Sequence, residues 1–135
     1  MRPRYETYAD LSNESEIIDD ACVAWQCQAI KLPNSYRLDF ALLRDEKVVA
    51  FAEVKRRNVL HNAYPTAFIS LSKVMTARLM RPLPSFWIVA WDDGIGYVRL
   101  DNHNGEITMA GRRDRHDPAD IEPMAHFKTE LFTKL

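Results

Sequence analysis

Cysteine is nearly absent from this chain. Cys22 and Cys27 are the two present, and they do not form a CxxC pair. A disulfide framework and a structural zinc site are therefore not expected. The four histidines, His61, His103, His116 and His126, are scattered, with no two at zinc-ligand spacing on one element. Glycine is scarce at four residues, so no glycine-rich phosphate loop exists. No run of about 18 apolar residues occurs, which argues against a membrane span. The opening MRPRYETYAD lacks the apolar stretch of a signal peptide. Charge of one sign is not in excess either. A net charge of −1 excludes a uniformly basic nucleic-acid coat, so any such contact must come from a local patch.

What is present is ordinary globular material. The 135 residues are 47% apolar and 10% aromatic, enough for one domain with a sizeable core and no staples. A helix is expected from Ser12 or Asn13, with acids crowding its first turn and Ile17, Ile18, Ala21, Cys22 and Trp25 at helical spacing. Glu14 lies three and four residues before Ile17 and Ile18 and so points toward the buried face, whereas Glu16, Asp19 and Asp20 point outward. An extended piece, 28–32, ends at Pro33-Asn34-Ser35. Two strands follow, 36–44 and 48–55, apolar on both faces as central strands are. A second helix is expected over 66–80, ended by Pro82 and Pro84, then strands at 86–91, 96–100 and 107–110. A charged loop, GRRDRHDPAD, precedes a strand-like or short helical tail. The reading is an α/β (α+β) chain with a mixed sheet flanked by helices.

Charges in central strands call for pairing or function. Asp39 sits between Leu38 and Phe40, Glu53 between Ala52 and Val54, and Lys55 follows. With a three-residue turn at 45–47, Asp39 faces Glu53 directly, and Lys55 shares that face. A two-residue turn would pair Asp39 with Ala52 instead. Two close carboxylates repel when ionised, and a divalent cation resolves the conflict. Mg²⁺ takes one or two protein carboxylates and leaves its other positions to water and phosphate oxygens. A neighbouring lysine can orient water and stabilise phosphate charge, which is a constellation for phosphodiester hydrolysis. The structural alternative is a buried salt-bridge cluster in which Lys55 neutralises one acid.

At these residues the sequence resembles the PD-(D/E)xK nuclease superfamily. Asp39, thirteen residues, then Glu53-Val54-Lys55 matches its motif, between an acid-bearing helix and a second helix with a further strand. The likeness covers roughly Ser12 to Trp91 and is strongest to small Holliday-junction-resolvase-like and phage-type members. It implies a restriction-endonuclease-like αβββαβ core. It implies Asp39 and Glu53 as metal ligands, with the Val54 backbone carbonyl as a further ligand. Lys55 would be the catalytic lysine, and Glu14 the helix acid, with Glu16 the alternate. Lys73 would stand near the site. The proline that precedes the first acid in the motif is replaced here by Leu38. Implied with these are Mg²⁺ (or Mn²⁺) as cofactor, no organic cofactor, DNA as partner, and a cytoplasmic setting in a bacterial or phage-infected cell.

Local positive charge supports a DNA partner. Arg56, Arg57 and His61 follow the motif strand, Lys73 and Arg78 lie on the second helix, and Arg112, Arg113, Arg115 and His116 lie in the late loop. The late cluster, with its own Asp114 and Asp117, reads better as a solvated loop. A homodimer is expected, because one site cuts one strand, with the Trp87 and Trp91 region as its interface. Ser70-Leu71-Ser72-Lys73 spells S-x-x-K, but the companion motifs of serine acyl-transfer enzymes are missing. Two other classes stay open: a non-catalytic DNA- or protein-binding module, and a plain structural domain.

Overall fold

The computed structural model describes residues 8–111 and 121–135. The late-loop residues Arg112, Arg113, Arg115 and His116 lie outside the described residues. Helix α1 (Tyr8–Trp25) begins before the expected cap, so Ser12 and Asn13 lie inside it. Their modest helix propensity is overridden because no breaker separates them from Tyr8. Strands β1 (Gln28–Lys31), β2 (Phe40–Arg44) and β3 (Lys47–Arg56) form an antiparallel run. Then come β4 (Thr66–Ser70), helix α2 (Leu71–Leu79), β5 (Ser85–Trp91) and β6 (Gly94–Arg99). The chain ends through β7 (Ile107–Gly111), β8 (Ile121–Lys128) and β9 (Thr133–Lys134).

Six strands form a mixed sheet in the order β1-β2-β3-β5-β6-β9. β3 and β5 are its parallel pair, joined by a crossover through β4 and α2, so the expected αβββαβ core is present. A second sheet, β4-β8-β7, was not expected. The helix expected over 66–80 begins only at Leu71: Thr66, Phe68 and Ile69 suit a strand and pair with β8. The strand-like tail expected from His126 is in part β8, which begins earlier, at Ile121, and runs through Pro123. Pro123 lies beyond the last β4–β8 pair, Ser70 with Met124, so the proline needs no donor on that side.

The hairpin that carries the motif corrects the expected turn. Asp45 and Glu46 form a two-residue turn at φ 53° and 64°, and Arg44 opposes Lys47. Both adopt the left-handed conformation that such turns require. Between Leu42 and Leu43 the register shifts, so that Leu42 opposes Ala50 and Phe40 opposes Ala52. The shift thus restores the register that a three-residue turn would set, and the ladder ends at Phe40, one residue short of Asp39. Asp39 itself lies just outside β2, because residues 34–36 form a 3₁₀ turn and Arg37 takes a left-handed φ of 63°.

The large sheet is covered on both faces. α1 sets Ile17, Ile18 and Ala21 on Phe40, Leu42, Ala52, Val54 and Ile88. On the opposite face, Val74 and Ala77 of α2 and Ala67, Ala125 and Phe127 of the small sheet pack on Trp87, Val89 and Trp91. Trp87 and Trp91 are only 1% and 5% exposed, and their rings meet Phe127 and Phe132. This corrects the expected dimer interface: the crossover layer covers the Trp strand, so these rings are core. Among the described residues, no helix is long and apolar enough to cross a membrane.

Candidate active site

Successive residues of a strand point to opposite faces. β3 accordingly sends Glu53, Lys55 and Arg57 to the crossover face, and Ala52, Val54 and Arg56 to the α1 face. An open cleft of about 290 Å³ lies over the first set, lined among others by Glu53, Lys55, Arg57, Ser70, Lys73 and Met124. Ser70 caps α2, accepting from the Ser72 N–H at 3.3 Å, and this aims the first turn, with Lys73, at β3. Lys73 Nζ lies 3.1 Å from Glu53 Oε1. Sequence reading placed Lys73 near the site on DNA. The structure has it paired with the central acid.

Glu53 is 9% exposed, and among the described residues its buried Oε2 has no hydrogen-bond partner. Burial pushes its carboxyl up to about 8, the nearby Asp39 carboxylate adds to the rise, and Lys73 opposes it. Asp39 lies one residue before β2 begins. Its Oδ2 accepts from the Val54 N–H at 2.9 Å, taking the place of a ladder bond where β2 has ended. The N–H and C=O of one strand residue point to the same side. The Val54 carbonyl therefore points to the side of β3 that Asp39 occupies.

Lys55 is exposed at the mouth of the cleft, and among the described residues no hydrogen bond or ion pair engages its ammonium. The structural alternative, in which Lys55 neutralises one acid, is not what the structure has; Lys73 and Lys31 take that place. Lys31 Nζ sits 3.2 Å from Glu14 Oε2 and 3.4 Å from Asp39 Oδ1. Glu14, 17% exposed, thus joins the acid cluster, as the helical spacing predicts. Glu16 is exposed and lines a separate groove with Asn13, Arg56 and Asn58. Lys31 escaped sequence reading, although its strand neighbours Asp39: Lys31 opposes Phe40, and the Leu32 N–H donates to the Asp39 carbonyl at 2.8 Å.

The remaining cations divide by face. Arg57 stays at the cleft, donating to the Phe68 carbonyl at 2.8 Å and lying over the Phe68 and Trp87 rings at 5.3 and 5.9 Å. Burial lowers its pKa. Arg56 points to the α1 face and pairs with Asp92 at 3.1 Å, away from the acids that sequence adjacency suggested it would flank. His61 pairs with Asp93, and the short bond holds the Asp93 carboxyl below its ordinary value. Arg78 donates to the His103 carbonyl at 2.6 Å and ties α2 to the turn after β6.

The donor set fits a hard divalent cation. It comprises two neighbouring carboxylates, one with a buried oxygen that has no hydrogen-bond partner among the described residues, and a backbone carbonyl on the side of β3 that Asp39 occupies. Among the described residues, no three acidic, histidine or cysteine side chains group tightly enough to hold a metal by themselves. A cation here would take few protein ligands and keep several waters, as Mg²⁺ does.

Comparison with known proteins agrees with this architecture. The structure is similar to that of Hjc, a Holliday junction resolvase from Archaeoglobus fulgidus, with a TM-score of 0.57 over 91% of this chain and 92% of that one. Sequence identity is 11%, so the likeness is one of fold. A search of curated proteins found no match. A family model described as "Phage putative PDDEXK endonuclease" matches residues 1–135. By that full-length match the chain belongs to the phage PDDEXK endonuclease family, a family of nucleases.

Proposed function

We propose that this protein is a Mg²⁺- or Mn²⁺-dependent DNA endonuclease whose centre is Asp39, Glu53 and Lys55, with Glu14 beside it. The observation that carries the reading is the buried Glu53 Oε2, which has no hydrogen-bond partner among the described residues, in a carboxyl that feels the nearby Asp39, with Lys55 exposed two residues on. Asp39, Glu53 and the Val54 carbonyl would hold the cation. When bound, the cation supplies Lewis-acid polarisation of the phosphate. The Asp39–Val54 hydrogen bond fixes the carboxylate and carbonyl relative to each other. Lys55 stabilises charge on the phosphate and orients the attacking water. Arg57 and Lys73 add positive charge to the cleft wall. Branched DNA is the favoured substrate, since the structural neighbour is a junction resolvase. Cutting both strands calls for a homodimer.

The test is cleavage of supercoiled plasmid and of a four-way junction with Mg²⁺, Mn²⁺ or EDTA, for wild type and Lys55→Ala. Metal-dependent cutting that vanishes in the variant supports the reading. No cutting by excess wild type with either metal would leave the rival, a non-catalytic binding module. The ion pairs of Lys31 and Lys73 with the three acids are what favour that rival.

A further inference from the structure

The acid cluster carries its own counter-ion on the edge strand. Lys31 Nζ stands between Glu14 Oε2 and Asp39 Oδ1, at 3.2 and 3.4 Å, so it bridges the helix acid and the hairpin acid. Its ammonium also lies 5.1 Å from the centre of the Phe40 ring, a cation–π contact from the residue it opposes across the ladder. The carboxylates are 17% and 14% exposed, whereas Lys31 is 39% exposed. The acids are therefore set in the fold while the lysine approaches from solvent on a flexible stem. An ammonium is monovalent and brings three donors. A divalent cation brings twice the charge to the same carboxylate and cannot share it with a strong ion pair without loss to one of them.

We propose that Lys31 is a positioning residue: an intramolecular counter-ion that holds Asp39 and Glu14 together before metal arrives and that the metal must displace. This rests on the reading of Asp39 as a cation ligand. Two consequences follow from linkage. The Lys31 contacts stabilise the metal-free fold, and they weaken cation affinity by the free energy of the contacts that are lost. The site therefore fills only above a raised metal concentration.

The experiment is Mn²⁺ titration by calorimetry of the full chain, stripped of metal, without DNA. Wild type, Lys31→Met and Lys31→Arg are compared, and melting temperatures are recorded with and without Mn²⁺. Methionine keeps the aliphatic packing on Phe40; Lys31→Gln is used if Lys31→Met does not fold. The neutral variant is expected to bind Mn²⁺ about 3- to 10-fold more tightly than wild type. It should melt lower without metal and gain more from added Mn²⁺. Arginine should restore wild-type affinity. Equal or weaker binding by the neutral variant, with wild type binding normally, overturns the role of Lys31 and leaves the metal site standing. Binding by the neutral variant alone supports the role in its strongest form. No Mn²⁺ binding by any of the proteins overturns the metal site itself, and the counter-ion role with it.

Discussion

Asp39 Oδ2 accepts the Val54 N–H at 2.9 Å, so a side chain closes the hydrogen-bond ladder at the point where β2 stops. The carboxylate has two tasks in one place. One oxygen extends the β2–β3 ladder, and the other meets Lys31. Asp39→Asn can keep an acceptor for Val54 while removing the charge. It should abolish metal-dependent cleavage and leave the fold intact. Asp39→Ala should in addition lower stability by about 1–2 kcal/mol, because the Val54 N–H loses its partner. Denaturant melts of the two variants beside the cleavage assay check both statements.

Glu53 is destabilising when charged. Its folded pKa, raised to about 8 by burial and by Asp39, lies above its ordinary value of 4.5. The folded state then binds the proton more tightly than the unfolded one. Stability from this group is fully present below about 4.5 and is lost as pH rises through 8. Without metal, wild type should melt at progressively lower temperature from pH 5 to pH 9. Glu53→Gln should flatten that decline, melt higher than wild type at pH 9, and fail to cut DNA. A decline of equal slope in the variant would count against the assignment.

Lys55 and Lys73 should separate in their effects. Lys55 is exposed, so Lys55→Ala should leave the melting temperature within about 2 °C of wild type while removing cleavage. Lys73 pairs with buried Glu53. Lys73→Ala should push the Glu53 carboxyl further up, so the stability lost through Glu53 grows and its loss continues to higher pH. Melting curves across pH check the second effect independently of activity.

Asp101 sets the acid limit of the fold. It is 1% exposed and accepts from Arg99 at 2.9 and 2.8 Å and from Arg81 Nε at 3.2 Å. Burial alone would raise its carboxyl, but the two guanidiniums outweigh it and hold it at about 2, below the ordinary 3.8. Its contribution is present above about 4 and is lost as pH falls toward 2. After allowance for solvent at the half-exposed arginines, the contribution is about 1–2 kcal/mol. Asp101→Asn should lower stability at pH 7 by at least that amount. The gap to wild type should narrow between pH 4 and pH 2, as chemical denaturation would show.

Much of the site was legible in the chain because it contradicts its own surroundings. Asp39, Glu53 and Lys55 are charges in apolar strands, and that anomaly needs no coordinates. Glu14 was legible from helical spacing. Arg56 misled because adjacency to Lys55 says nothing of face, and alternation carries it to α1. β4 and the first half of β8 were not legible because short strands are decided by partners distant in sequence, here each other.

The sequence by itself determined the order of the core elements, which strands are buried and which acids are anomalous, since periodicity and burial are local properties of residue type. Only the tertiary structure decided how the hairpin reaches its register, through the shift between Leu42 and Leu43. It alone brought Lys31 to Asp39 and Glu14, and Lys73 to Glu53. Counter-ion choice depends on which side chains meet across strands and helices, and that geometry exists only once the layers have packed.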